Sequence, residues 1–161
     1  MILVTVGMHF QGFDRLVRAA DELAKGVNEK VLIQYGNSSS IPQYAEGFAW
    51  TTGDEMEYLM REARVIVAHA AVGSIIPALK NGKPLVITPR MKLYNEVIDN
   101  HQQQLCKILE MSGKAVSVED LSSESLRAAI DNAGKNPPLV DGPTQLVQAL
   151  RDLLAGWERS V

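Results

Sequence analysis

At 161 residues with 46% hydrophobic side chains, the chain has the length of one ordinary domain and enough apolar content for a sizeable core. A net charge of -3 and a pI near 5.6, with no basic block and no interleaving of aromatic and basic residues, exclude a nucleic-acid binder of the usual electrostatic kind. The single cysteine, Cys106, rules out an internal disulfide or a cysteine-based metal cluster and fits a reducing compartment, and no apolar run of about 18 residues is available to span a bilayer.

The opening M-I-L-V-T-V-G is too short for the apolar region of a signal peptide and lacks a basic flank. Residues 2–6 therefore read as a first buried strand, broken by Gly7. The loop 7–12 leads into Phe13, Leu16, Val17, Ala20 and Leu23, spaced as one face of a helix. Its glycines fall at 7 and 12 only, so the dinucleotide fingerprint G-x-G-x-x-G is missing and a nicotinamide cofactor is not indicated. A second strand is expected at 30–35 and a short third at 48–52. Asp54 is expected to cap a helix whose apolar face is Met56, Leu59, Met60 and Ala63.

The stretch 64–84 reads R-V-I-V-A-H-A-A-V-G-S-I-I-P-A-L-K-N-G-K-P and organises the rest. Val65, Ile66 and Val67 form a buried parallel strand ending at His69, and from Ser74 the pattern is helical until Asn81-Gly82. The junction 70–73 thus joins a strand's carboxyl end to a helix's amino end, where free N–H groups and the helix dipole favour an anion. Gly73 permits close backbone approach, and Ser74 can cap the helix or bind a phosphate oxygen. Small residues at such a turn also serve plain tight packing, so both readings stand.

Residues 84–88 form another buried strand ended by Pro89-Arg90, and a polar loop follows. His101-Gln102-Gln103-Gln104 opens a helix through Leu105, Ile108 and Leu109, a short strand occupies 114–118, and Ser122 or Ser123 caps a further helix. A last helix is expected at about 144–157. The βα alternation without internal repeats predicts a single domain, 1–161, built as a Rossmann-like, doubly wound parallel sheet, with ligands outside the strands' carboxyl ends. Three loops meet that edge, 7–12, 69–74 and 90–104, and they carry all three histidines, His9, His69 and His101. Three histidines without a neighbouring carboxylate motif are a poor zinc site, and each is as well explained as a hydrogen-bonded turn residue. The amides of Gln102 and Gln103 suit sugar hydroxyls or, equally, an exposed helix start. The residues themselves thus lead to a nucleotide- or phosphate-binding α/β domain.

Four ordered motifs add to this: T-V-G with F-D-R-L-V behind it, H-A-A-V-G-S-I, N-G-K-P-L-V-I-T-P-R, and D-N-H-Q-Q-Q. Together, across residues 1–118, they resemble the carboxyl-terminal domain of glycosyltransferase family 28. The likeness is to its stand-alone form in two-subunit enzymes, such as the small subunit of the dolichol-linked N-acetylglucosaminyltransferase and bacterial exopolysaccharide subunits. The resemblance implies the carboxyl-terminal half of a GT-B enzyme, binding a UDP-sugar donor without metal or cofactor. A membrane-anchored partner subunit would supply the site for a lipid-linked acceptor, which places this chain in the cytoplasm, peripheral to the membrane through that partner.

The same resemblance implies that Gly7, Met8 and His9 lie near the diphosphate at the inter-domain cleft, with His9 the candidate for a catalytic role. His69, Ala70, Ala71, Val72, Gly73 and Ser74 would hold the phosphates through backbone amides. Thr52, within 51–53, would face the uracil, and Asn100, His101, Gln102 and Gln103 would contact the donor sugar and phosphates. Two departures from the family pattern stand out: Ala71 where glycine is usual, and Pro77 near the position of a ribose-binding acid. If they abolish donor binding, the chain would instead be a non-catalytic nucleotide-binding or scaffold partner.

Overall fold

A computed structural model describes residues 1–97 and 101–136. Strand β1 (Ile2–Thr5) leads to helix α1 (Asp14–Ala24), then β2 (Val31–Gln34), β3 (Glu46–Phe48), α2 (Gly53–Glu62) and β4 (Val65–His69). Helix α3 (Val72–Lys80), β5 (Leu85–Thr88), a 3-10 turn (Lys92–Tyr94), α4 (His101–Met111), β6 (Val116–Ser117) and α5 (Ser123–Lys135) follow. The strands form one parallel sheet in the order β3-β2-β1-β4-β5-β6, so the chain reverses its winding direction between β1 and β4. That is the doubly wound Rossmann-like arrangement, and its ligand crevice opens at this reversal.

Every residue of β1, β2, β4 and β5 is buried, which is why these strands read as continuous apolar runs rather than alternating ones. Val4, Ile33, Val67 and Val86 pack on one face against Leu16, Val17, Ala20 and Leu23 of α1 and Leu126 and Ile130 of α5. Leu3, Ile66 and Ile87 pack on the other against Met60, Ile75, Leu79, Leu105 and Leu109 from α2, α3 and α4. Each such side chain, fully withdrawn from water, contributes about 1.5–3 kcal/mol.

Several expected boundaries move, for identifiable reasons. The third strand lies at Glu46–Phe48, earlier than 48–52, because the Tyr35 N–H donates to the Phe48 carbonyl as the last rung and the next carbonyl, Ala49, is taken by a side chain of β2. Thr52, rather than Asp54, caps α2: its Oγ1 accepts from Glu55 N at 3.2 Å, and Asp54 sits in the first turn beside the positive end of the helix dipole. In α4 the buried residues are Leu105, Cys106 and Leu109, while Ile108 is 41% exposed. The cap at Ser122 is as expected and closes into a reciprocal box with Ser125. The helix expected at 144–157 lies outside the described residues.

At the amino edge of the sheet, Glu29 accepts from Arg64 Nε at 2.9 Å and Nη2 at 2.7 Å, and from the Met1 ammonium at 2.9 Å. Arg64, helped by the ammonium, holds this carboxyl down from the ordinary 4.5 to about 2. A lowered carboxylate value means stability that is present above pH 4.5 and lost as pH falls towards 2. Glu29→Gln should therefore shift the urea midpoint downward at pH 6 and by progressively less below pH 4.5. A constant difference across that window would mean that the cluster does not form in solution.

Candidate functional site

A cleft of about 580 Å³ lies at the carboxyl edge where β1 and β4 part. Its floor is Thr5, Gly7, Gln34 and His69; one wall is α3 with Gly73, Ser74 and Pro77, and the other is α2 with Trp50, Thr51, Thr52 and Gly53 ahead of Met56, Glu57 and Met60. Met8 completes the lining.

The floor is fixed by Gln34. Its Oε1 accepts from Thr5 Oγ1 at 2.7 Å and Gly7 N at 3.0 Å, and its Nε2 donates to the carbonyls of Gly7 at 3.1 Å and Ala49 at 3.0 Å. One buried amide thereby joins the β1 loop to the segment carrying Trp50. Gly7 adopts φ +75 and lies flat against the His69 ring: a Cβ there would fall 2.3 Å from His69 Cε1. His69 is buried, with Nδ1 3.4 Å from Ser74 Oγ. Burial first, then the charge of Arg90, pulls its pKa down to about 4, so the ring is neutral at pH 7.

Helix α3 begins two residues earlier than the sequence pattern indicates. Ala71 is its N-cap, without a side-chain bond, and Ser74 lies inside the first turn, so the expected Ser74 cap does not form. This start decides which amides are available. Ala70 N donates to Thr88 O, Ala71 N to His69 O and Ser74 N to Ala71 O, whereas the N–H groups of Val72 and Gly73 have no protein acceptor among the described residues. In α2, Glu55 and Met56 donate to Thr52, leaving the N–H groups of Gly53 and Asp54 in the same condition. Two helix starts thus bring free amides to one cleft, and a Cβ at Gly73 would meet no protein atom within 4 Å. Ala71 has extended backbone (φ -129, ψ 143) that any residue adopts, and it is not among the cleft-lining residues.

Of the residues singled out from the sequence, Gly7, Met8, Thr52, His69, Gly73 and Ser74 meet in this cleft. Ala70 is buried beneath it, and Val72 offers its amide from the helix start. His9 is half-buried on the β1 loop outside the lining, stacked on Phe10 at 4.6 Å, with its Nδ1 accepting from Gln11 N at 3.2 Å. Burial and Arg90 lower its pKa. His101, Gln102 and Gln103 form the first turn of α4 rather than part of the lining, and Gln102 Oε1 accepts from Arg90 N at 2.9 Å. Asn100 lies outside the described residues.

Sequence reading missed Gln34, Trp50, Met56 and Glu57. A polar residue closing an otherwise apolar strand, K-V-L-I-Q-Y, is the one signal that marks Gln34 in advance. The other three depend on how α2 lies over the sheet. No group of three or more His, Cys, Asp or Glu side chains suited to a metal occurs among the described residues.

The sequence matches the family model described as "Glycosyltransferase family 28 C-terminal domain" over residues 1–154. The chain belongs to this family. Among relatives of the family 28 domain, human UDP-N-acetylglucosamine transferase subunit ALG13 is 31% identical over 122 residues, covering 70% of this chain and 10% of the human protein. The subunit of the same name from Debaryomyces hansenii is 26% identical over 125 residues, 72% of this chain and 57% of that protein. The chain therefore spans a tenth to somewhat over half of these relatives' lengths. The kitacinnamycin glycotransferase crystal structure superposes with a TM-score of 0.68 at 20% identity, over 94% of this chain and 39% of that one. An ALG13 solution structure gives 0.64 at 20% identity, over 92% and 94%. At these identities the superpositions establish the fold, the Rossmann-like half of a GT-B glycosyltransferase. No helix among the described residues is long and apolar enough to cross a membrane.

Proposed function

We propose that this family 28 domain is the donor-binding subunit of a glycosyltransferase that moves N-acetylglucosamine or another hexose from a UDP-sugar to a lipid-linked acceptor in polysaccharide or glycan synthesis. The observation that carries the reading is the cleft at the strand reversal, with the free amides of Gly53, Asp54, Val72 and Gly73 at two helix starts. The diphosphate would lie against Val72 and Gly73, where amides and dipole act together. The uracil would lie towards Thr52 and the half-exposed Trp50 indole, and the sugar towards Gly7, Met8 and the α4 start at His101 and Gln103.

In transfer, the bond from the anomeric carbon to the diphosphate oxygen breaks and UDP keeps the electron pair. The acceptor hydroxyl oxygen bonds to that carbon and releases its proton. Fixed amides stabilise the charge that develops on the diphosphate, which is chemistry this helix start supplies without a metal. His9, outside the donor cleft on the loop facing the missing wall, is the chain's candidate for work at the acceptor side. One sheet edge supplies one wall of a GT-B cleft. The second wall would be a membrane-anchored, acceptor-binding subunit holding this chain at the cytoplasmic side of a membrane, in keeping with the "subunit" naming of the ALG13 relatives.

Gly73→Val is the decisive variant. Nothing in the protein fills the space beside Gly73, so the variant should fold with a Tm within a few degrees of wild type. The side chain would stand where the diphosphate approaches, so UDP affinity measured by calorimetry should fall at least about tenfold. Wild-type protein that fails to respond to millimolar UDP would instead favour the non-catalytic scaffold reading. The isolated chain should transfer no sugar until its partner is added.

A further inference from the structure

Arg90, which follows Pro89 at the end of β5, is 1% exposed and leads the fully buried side chains in size. Its guanidinium runs beneath the β1 loop: Nη1 donates to the carbonyls of Gln11 at 2.9 Å and Gly12 at 2.8 Å, and Nη2 to Val6 at 3.0 Å. A longer contact of 3.4 Å reaches the Glu96 carbonyl, and the Phe13 ring lies 4.9 Å below. Among the described residues, no carboxylate oxygen bonds it. The nearby Glu96 carboxylate is engaged by Arg15 at 3.2 and 3.1 Å and by Met91 N at 3.0 Å. The charge is thus held by carbonyl dipoles, and Arg90 Nε has no partner.

Glu96 acts on this buried cation only through its field, without a bond from its carboxylate; such a charge is costly to keep, and an apolar side chain of similar size would pack the same space. The field of this charge extends towards the cleft. Val6, whose carbonyl Arg90 grips, is the neighbour of Gly7 in the cleft floor, and one peptide separates guanidinium from lining. Burial first, and then this charge, lowers the pKa of both His69 in the floor and His9 on the loop.

We propose that Arg90 is a positioning and electrostatic residue for the donor diphosphate, supplying from behind the β1 loop the positive charge that the cleft surface lacks. This deepens the family 28 reading and rests on it. Among the described residues, the cleft lining has no Lys or Arg, only the acid Glu57 and the neutral His69. In that low-dielectric setting a fixed charge acts on a dianionic ligand over several ångströms, more strongly than a hydrated surface lysine would. Arg90 touches neither donor nor acceptor.

The test compares UDP with uridine, which shares the base and ribose but carries no charge, in wild type, Arg90→Lys and Arg90→Gln. Arg90→Gln should weaken UDP about tenfold while leaving uridine within about twofold, and Arg90→Lys should recover most of the UDP affinity. Should Arg90→Gln not fold, the Arg90 Nε–H resonance of the wild-type protein serves instead. Buried from exchange, it should shift on adding UDP and hold still on adding uridine. Equal weakening of UDP and uridine, or equal movement of the resonance with both, reduces Arg90 to a loop brace and overturns the proposal while leaving the donor-binding reading intact. Wild-type protein that binds neither UDP nor uridine overturns both.

Discussion

Gly7→Ala is expected to lower the unfolding free energy by about 2–4 kcal/mol, the sum of a left-handed backbone for alanine and a steric overlap. At φ +75 the backbone alone disfavours a Cβ, and that Cβ would lie 2.3 Å from His69 Cε1 and 2.8 Å from Nε2. The ring cannot simply swing away. It is buried and in reach of Ser74, so relief requires moving the floor of the cleft. The measurement is a double-mutant cycle by urea denaturation with His69→Ala. The overlap belongs to the pair and the backbone penalty to residue 7, so the double variant should recover roughly half the loss. Additive costs would mean that the ring and the loop do not meet in solution.

Gln34→Leu should be at least as damaging, about 3–5 kcal/mol, because one substitution strands several buried polar groups. Both carbonyls, Gly7 and Ala49, lose their side-chain donor, the Gly7 N–H keeps only a 3.3 Å contact to Thr5 Oγ1, and Thr5 Oγ1 loses a 2.7 Å acceptor. Leucine fits the volume and replaces none of those bonds. Gln34→Glu keeps the two acceptor contacts but turns both donor contacts into repulsions, so it should fall between the two and improve as pH is lowered. Guanidinium midpoints at pH 7 and pH 4.5 would check both. A Gln34→Leu variant as stable as wild type would mean that water satisfies these groups and that Gln34 is no hub.

Four strands, β1, β2, β4 and β5, were legible because they are buried along their whole length: continuous runs such as I-L-V-T-V and V-I-V-A have no other comfortable environment, whereas the exposed β3 was placed too late. The helix faces were legible too, except at Ile108, where Cys106 takes the inward place and a local period cannot say which neighbour does. The turn after β4 was found as a strand-to-helix junction, but its start was placed at Ser74 instead of Val72. Ala71 caps without a side chain, so the usual polar marker is missing. Trp50, ahead of α2, and Glu57, within it, reach the cleft through tertiary packing that leaves no local trace in the sequence. Arg90 reads as an ordinary loop cation in sequence, since nothing in P-R-M-K distinguishes a side chain that turns inward from one that turns to water. Gln102, an expected ligand, has one amide oxygen turned instead to the backbone of Arg90.

The register that sets Ile2 beside Val65 has a consequence for how the protein is made. The middle strand of the sheet is the first to leave the ribosome, yet one of its two neighbours emerges only after β2, β3 and two helices have been synthesised. At roughly 5–20 residues per second, that interval lasts on the order of several seconds. During it, one backbone edge of I-L-V-T has no native partner, and the apolar side chains beside it remain uncovered. Slower translation across residues 6–64 therefore lengthens the time in which this edge is open to pairing with another chain, a cost that leaves no mark on the final stability of the domain.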